Sequence, residues 1–211
     1  MRHAIAILPL LLVGCVPSLE FDTGIDSDAI WENDWFIASD RPDDISGVQG
    51  WSVGNVVPYG ELTAYNDQTF YTHQYWGRVW VFDLGALWCN PCHALADYTE
   101  STYLDYAEYD LEYLTVINQN KQGQPPSVSE INKDWVDKHC IERTPVVADD
   151  GPYTRAAWPE TTLPVVLVVD EQMVIQKRYV GSTATEENIR SGIEEVLGIG
   201  HVDEANEPCG H

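Results

Sequence analysis

The chain has 211 residues, 34 of them acidic against 11 Lys and Arg, for a formal net charge of −23; 44% are hydrophobic and 8 are Trp. That apolar and aromatic load is too high for a wholly disordered chain. The shortage of Lys and Arg argues against nucleic acid and against an electrostatic hold on an anionic membrane, since phosphate surfaces demand cations. At roughly 100–200 residues per domain, the length suits one domain with tails.

In chain order, Arg2 precedes the apolar run Ile5–Val13, which ends in Gly14-Cys15. At about 1.5 Å per helical residue the run is far short of a bilayer core of roughly 30 Å, so it reads as the apolar part of a signal peptide. From Ser18 to about Asp44 the chain is rich in Asp, Ser and Gly, as expected of a solvated tether. Asp26 and Asp28 lack the glycine and distal Glu of a calcium loop in register. Trp31, Trp35 and Phe36 interrupt the tether and are candidates to dock on the domain.

Strand and helix patterns then alternate. Gly77–Leu84 reads as a buried strand, and Pro91 to about Glu108 as one helix, with Leu95, Thr99, Tyr103 and Tyr106 at three- and four-residue steps. Leu111–Ile117 is a second strand, and Ser127–His139 a polar helix opened by Ser127, Ser129 and Glu130. Val165–Val169 has the unbroken apolar character of a strand buried on both faces, with Met173–Val180 its hairpin partner. Thr183 to Glu186 is expected to form a capping box for a last helix whose stripe is Ile189, Ile193, Val196 and Leu197 and whose end is Gly198. The order predicts an α/β domain over 47–199, after a signal peptide (1–14) and an acidic tether (15–46) and before a tail (200–211).

Leu12-Val-Gly-Cys15 resembles the bacterial lipobox, which implies lipidation of Cys15, a membrane anchor and a place in the cell envelope. Val16 after that cysteine favours the outer membrane, in a periplasm-facing orientation. Four cysteines then remain: Cys89, Cys92, Cys140 and Cys209. An even number in an oxidising compartment is compatible with two disulfides, and four cysteines allow three pairings.

The segment richest in chemistry is Val81-Phe-Asp-Leu-Gly-Ala-Leu-Trp-Cys-Asn-Pro-Cys-His93. A CxxC that opens a helix after a buried strand places its first cysteine beside free backbone N–H groups and the helix dipole, which stabilise a thiolate. The second cysteine lies one turn on, within reach of a disulfide, and Pro91 suits the first turn.

Here the chain resembles the thioredoxin superfamily. Trp88-Cys-Asn-Pro-Cys92 matches its WCxPC signature, Asp83 falls where thioredoxins carry a buried acid, and Thr162-Leu-Pro-Val-Val166 looks like the cis-proline loop. Gly54-Asn-Val-Val-Pro58 and a long insert before that loop are closer to the extracytoplasmic TlpA/ResA group. The resemblance covers roughly Gly47 to Leu197, and departs from the pattern at Asp170-Glu-Gln172, where an Asp-Gly turn is expected. It implies a thioredoxin-like fold: a central mixed sheet flanked by helices, with an N-terminal hairpin extension and an insert between the CxxC helix and the cis-proline loop. It also implies that Cys89 attacks a disulfide in a protein substrate and Cys92 resolves the mixed disulfide. Asp83 would move the proton, and Trp88 and the Leu163-Pro164 backbone would meet the substrate. Asn90-Pro91 between the cysteines looks like the reducing branch, recharged by a membrane thiol donor, with no cofactor.

Other readings use the same residues. Cys89-Asn-Pro-Cys-His93 is also a literal CxxCH, the haem-attachment motif, with His93 as axial ligand. Cys89, Cys92 and His93 could bind copper(I), and a non-catalytic thioredoxin fold could serve as a binding module. Trp158-Pro159 could rim a groove. Cys140 and Cys209 are expected to pair as a structural disulfide; a metal site with His201 and His211, or an electron relay to Cys89–Cys92, stays open.

Overall fold

The computed structural model describes residues 33–151, 153–154 and 162–210. Cys15 and the signal segment, Asp26, Asp28, Trp31, Trp158-Pro159 and His211 lie outside them.

The alternating pattern produces a seven-stranded mixed sheet in the order β2-β1-β5-β4-β3-β6-β7. Its centre is β3 (Trp80–Gly85) parallel to β4 (Glu112–Ile117), with β6 (Val165–Val169) antiparallel to β3 and β7 (Ile175–Val180) antiparallel to β6. On the other side β5 (Val146–Ala148) runs parallel to β4 and bears the N-terminal hairpin of β1 (Glu61–Ala64) and β2 (Thr69–Tyr71). β5 went unread in the sequence: three residues after Pro145 are too few to show a period.

Alternation along the strands divides the core. Trp80, Phe82, Leu84, Leu114, Val116, Val165, Leu167 and Val169 face one way and are covered by the N-terminal segment, including Ile45, Trp51, Val57 and Tyr75. Val81, Tyr113, Val166 and Val168 face the other way, toward Leu95, Tyr106, Ile189 and Ile193 of the helical layer. Every residue of β6 is buried, and burying a Val side chain is worth about 1.5–3 kcal/mol. This layering is a thioredoxin-like fold.

Residues 33–46, expected as tether, lie against the domain. Trp35 packs edge-on to Tyr65 and Phe70, Asn33 Nδ2 donates to the Thr69 carbonyl and to Gln74 Oε1, and Ile45 is buried. Apolar contact outweighs the polar composition of that stretch.

Three local departures have physical causes. The helix expected over 91–108 is broken into α1 (Asn90–Ala96) and α2 (Thr99–Asp105). At the break the carbonyl of Asp97 accepts the backbone N–H of Cys209 instead of continuing the helical ladder. The helix expected over 127–139 starts as α3 (Val128–Ile131), capped reciprocally by Ser127 and Glu130, and continues over Asn132–Val136 as a π-helix. The last helix, α4 (Glu186–Leu197), is capped by Thr185, whose Oγ1 accepts the Asn188 N–H; Thr183 Oγ1 is taken by the Val180 N–H, so the expected Thr183 box does not form. Gly198 ends α4 at φ 68°.

At the expected Asp-Gly turn, Asp170 Oδ1 accepts the N–H groups of Gln172 and Val174, and Met173 takes the positive-φ position at 66°. Cys140 and Cys209 are joined by a disulfide with an S–S distance of 2.03 Å. The tail is held a second time by the buried Asp105, which accepts from Ala205 N, Asn206 N and Asn206 Nδ2 and pairs with Arg190 Nη2 at 2.6 Å.

Candidate active site

β3 delivers the chain into the loop Ala86–Trp88, and α1 begins at Asn90 with Cys89 as its N-cap. Cys89 and Cys92 form a disulfide with Cα atoms 5.3 Å apart. The Cys92 N–H donates to Cys89 Sγ at 3.2 Å, so a backbone donor faces the sulfur where a thiolate would form. Both cysteines are buried, whereas the neighbouring Trp88 is 46% exposed.

The loop is held by a residue the sequence did not single out. Gln119 accepts the Leu87 N–H at its backbone oxygen (2.9 Å) and the Trp88 indole N–H at its side-chain oxygen (2.7 Å). No sequence signal marks Gln119; it acts through the β3–β4 register, which sets it two residues past Ile117, the partner of Gly85. Gly85 matters for closeness: a Cβ there would lie 3.0 Å from the Trp135 ring and 3.3 Å from Cys92 Cβ.

The Leu163-Pro164 peptide bond is cis. Pro164 sits immediately before β6, its carbonyl accepting the Gly181 N–H at 2.8 Å, and Leu163 packs against the cluster that contains Cys89 and Cys92. The cis-proline loop and the cysteine pair therefore adjoin.

Asp83 stands on β3 across from Val166, two residues past Pro164. It is buried, and its Oδ2 has no hydrogen-bond partner among the described residues. Desolvation pushes its pKa up to about 7, against the pull of the neighbouring Tyr113 hydroxyl. A carboxyl poised near neutrality can accept and return a proton.

His93 occupies both ring nitrogens. Nδ1 lies 2.7 Å from His139 Nε2, and Nε2 lies 3.1 Å from the Leu87 carbonyl. His139 Nδ1 in turn meets Asp97 Oδ1 at 2.6 Å. The axial nitrogen that the haem alternative requires is thus already engaged. Among the described residues no group of three His, Cys, Asp or Glu side chains is arranged to hold a metal ion, and no helix is long and apolar enough to cross a membrane.

No family model and no curated protein matches the chain. Solved structures do. One described as a thiol:disulfide interchange protein DsbE from Chlorobium tepidum has a TM-score of 0.59 at 17% identity, covering 70% of this chain and 99% of that one. A thiol:disulfide interchange protein of the thioredoxin family from Chlorobium tepidum TLS has a TM-score of 0.56 at 15% identity, with 71% and 100% covered. A thiol:disulfide interchange protein from Bacteroides sp. has a TM-score of 0.56 at 12% identity, with 70% and 91% covered. At these identities the likeness establishes the thioredoxin-like fold, onto which this chain's own CxxC pair is built.

Proposed function

We propose that the protein is a thiol-disulfide oxidoreductase of the cell envelope, tethered by a lipid on Cys15 and working mainly as a reductase of protein disulfides. The observation that supports this reading is the Cys89–Cys92 pair opening α1, with Leu163 of the cis Leu163-Pro164 bond packed against the cluster that holds both cysteines and a buried Asp83 on the preceding strand.

Starting from the dithiol, the Cys89 thiolate attacks one sulfur of a substrate disulfide. A Cys89–substrate bond forms and the other substrate sulfur leaves as a thiolate. Cys92, giving its proton to Asp83, then attacks Cys89 Sγ, closes the Cys89–Cys92 bond and releases the second substrate thiol. Two electrons pass to the substrate, and a dithiol donor at the membrane must return them. Trp88, exposed beside the cysteines, and the backbone at Leu163-Pro164 would meet an extended substrate segment as an added strand.

The direction is supported by Asn90-Pro91 between the cysteines and is set finally by potential. The test is intact mass with thiol alkylation across a glutathione redox buffer. A reversible Cys89–Cys92 couple near about −270 mV supports a reductase, and one near about −120 mV makes the protein an oxidant. A pair that never titrates removes the enzymatic reading. Radiolabelled fatty acid incorporation that vanishes in Cys15→Ala tests the anchor.

A further inference from the structure

The chain Asp97–His139–His93–Leu87 links the break after α1 to the loop before Cys89 through three contacts of 2.6, 2.7 and 3.1 Å. Its ends fix its proton content. The Leu87 carbonyl accepts only, so His93 Nε2 must carry a proton; the Asp97 carboxylate accepts, so His139 Nδ1 must carry one. Between the rings, one further proton lies in the 2.7 Å gap, on either nitrogen. All three contacts are made when the pair of imidazoles holds one proton more than two neutral rings. With two neutral rings, one contact becomes acceptor against acceptor. The Asp97 bond, charged and 2.6 Å long, is kept, and of the two remaining contacts the ring–ring one is shorter at 2.7 Å against 3.1 Å, so the contact that fails is His93 to Leu87.

We propose that Asp97, His139 and His93 form a proton-holding relay that clamps the Leu87–Cys89 segment when protonated and releases it when the proton is lost, making His93 and His139 positioning residues for exchange at Cys89. This rests on the oxidoreductase reading. The clamp acts on the right segment: the Leu87 N–H is held by Gln119 and its carbonyl by His93, and in this closed state Cys89 is only 3% exposed. Release frees one side of that segment and gives a substrate disulfide access to Cys89.

The groups facing the pair set where the switch works. Burial against Trp135, whose ring lies 4.7 Å from His93 and 5.2 Å from His139, disfavours the charged form of both rings. Lys138 disfavours it at both rings and Lys121 at His93; Asp97 opposes them. The pair is thus held below the ordinary histidine value, open at neutral pH and closed only at lower pH.

Two measurements on the full chain separate the relay from the activity. Long-range proton–nitrogen NMR of histidine-labelled protein in the Cys89–Cys92 oxidised state should show His93 and His139 changing together in a single one-proton step, with His93 protonated at Nε2 on the acid side. Exchange with a model disulfide should show an additional rise through the same pH range, beyond thiolate formation. His139→Gln offers His93 Nδ1 a permanent neutral donor, so the extra rise should be lost and the loop stay clamped. Asp97→Asn, which removes the counter-charge and keeps an acceptor, should move the step to lower pH. Two independent histidine titrations, or an unchanged pH–rate profile in both variants, overturn the proposal while leaving the oxidoreductase intact. Wild-type protein that exchanges no disulfide at any pH overturns the oxidoreductase reading, and the clamp's role with it.

Discussion

The backbone N–H of Cys209 donates to the carbonyl of Asp97 at 2.9 Å, so the C-terminal tail is pinned to the break between α1 and α2, five residues beyond the second cysteine of the CxxC pair. The bond is protected by the Cys140–Cys209 disulfide, which closes a sequence separation of 69 residues. Replacing both Cys140 and Cys209 by Ser should therefore lower the unfolding free energy by about 2–4 kcal/mol. Denaturant unfolding followed by tryptophan fluorescence measures it. An unchanged midpoint would mean that Asp105 and Arg190 alone hold the tail.

Asp83 gives the sharpest pH signature. Desolvation raises its pKa in the folded state from the ordinary 3.8 to about 7, so between those values the native state binds a proton that the unfolded chain has lost. Stability must fall as pH rises through that window, by roughly 4 kcal/mol at 1.36 kcal/mol per pH unit. Asp83→Asn should remove the slope, leaving stability near pH 4 almost unchanged and raising it above pH 7. The same variant should slow exchange at neutral pH by about 10²-fold if Asp83 is the proton acceptor. A flat rate with a corrected stability profile would assign Asp83 an electrostatic role only.

The two cysteines should separate by function. Cys89→Ser should abolish reduction of a model disulfide. Cys92→Ser should leave the attack intact and accumulate mixed disulfides, detected as mass adducts that dithiothreitol removes. Activity persisting in Cys89→Ser would reassign the nucleophile.

Gly85→Ala tests the packing beneath the pair. The added Cβ would meet the Trp135 ring at 3.0 Å and Cys92 Cβ at 3.3 Å, and the Trp135 ring is fully buried with little room to retreat. We expect a loss of about 1–3 kcal/mol, together with a changed Cys89–Cys92 potential. Wild-type values for both would show that Trp135 can shift.

Much of this architecture was legible because its signals are local. The run Val81 to His93 carries strand, turn, helix start and redox pair in consecutive residues, and Val165–Val169 announces a doubly buried strand by composition alone. What was not legible depends on residues far apart in sequence. The break at Asp97 follows from Cys209, 112 positions on, and nothing in the 3.6-residue period of 91–108 hints at it. His93 read as a candidate ligand and His139 as the end of a polar helix; only the packing of α1 against the segment after α3 brings their ring nitrogens within 2.7 Å. The capping of α4 slipped by two positions because Thr183 had a competing backbone partner in Val180.

Met173 has a consequence for how the protein ages. Apart from Met1 it is the chain's sole methionine, and its side chain is fully buried against the N-terminal segment, held there by a positive-φ backbone. Peroxide and related oxidants convert exposed thioethers to sulfoxides. Here that lesion needs the core to open first, so a 16 Da gain at Met173 under mild peroxide would count unfolding events, independently of the state of the cysteines.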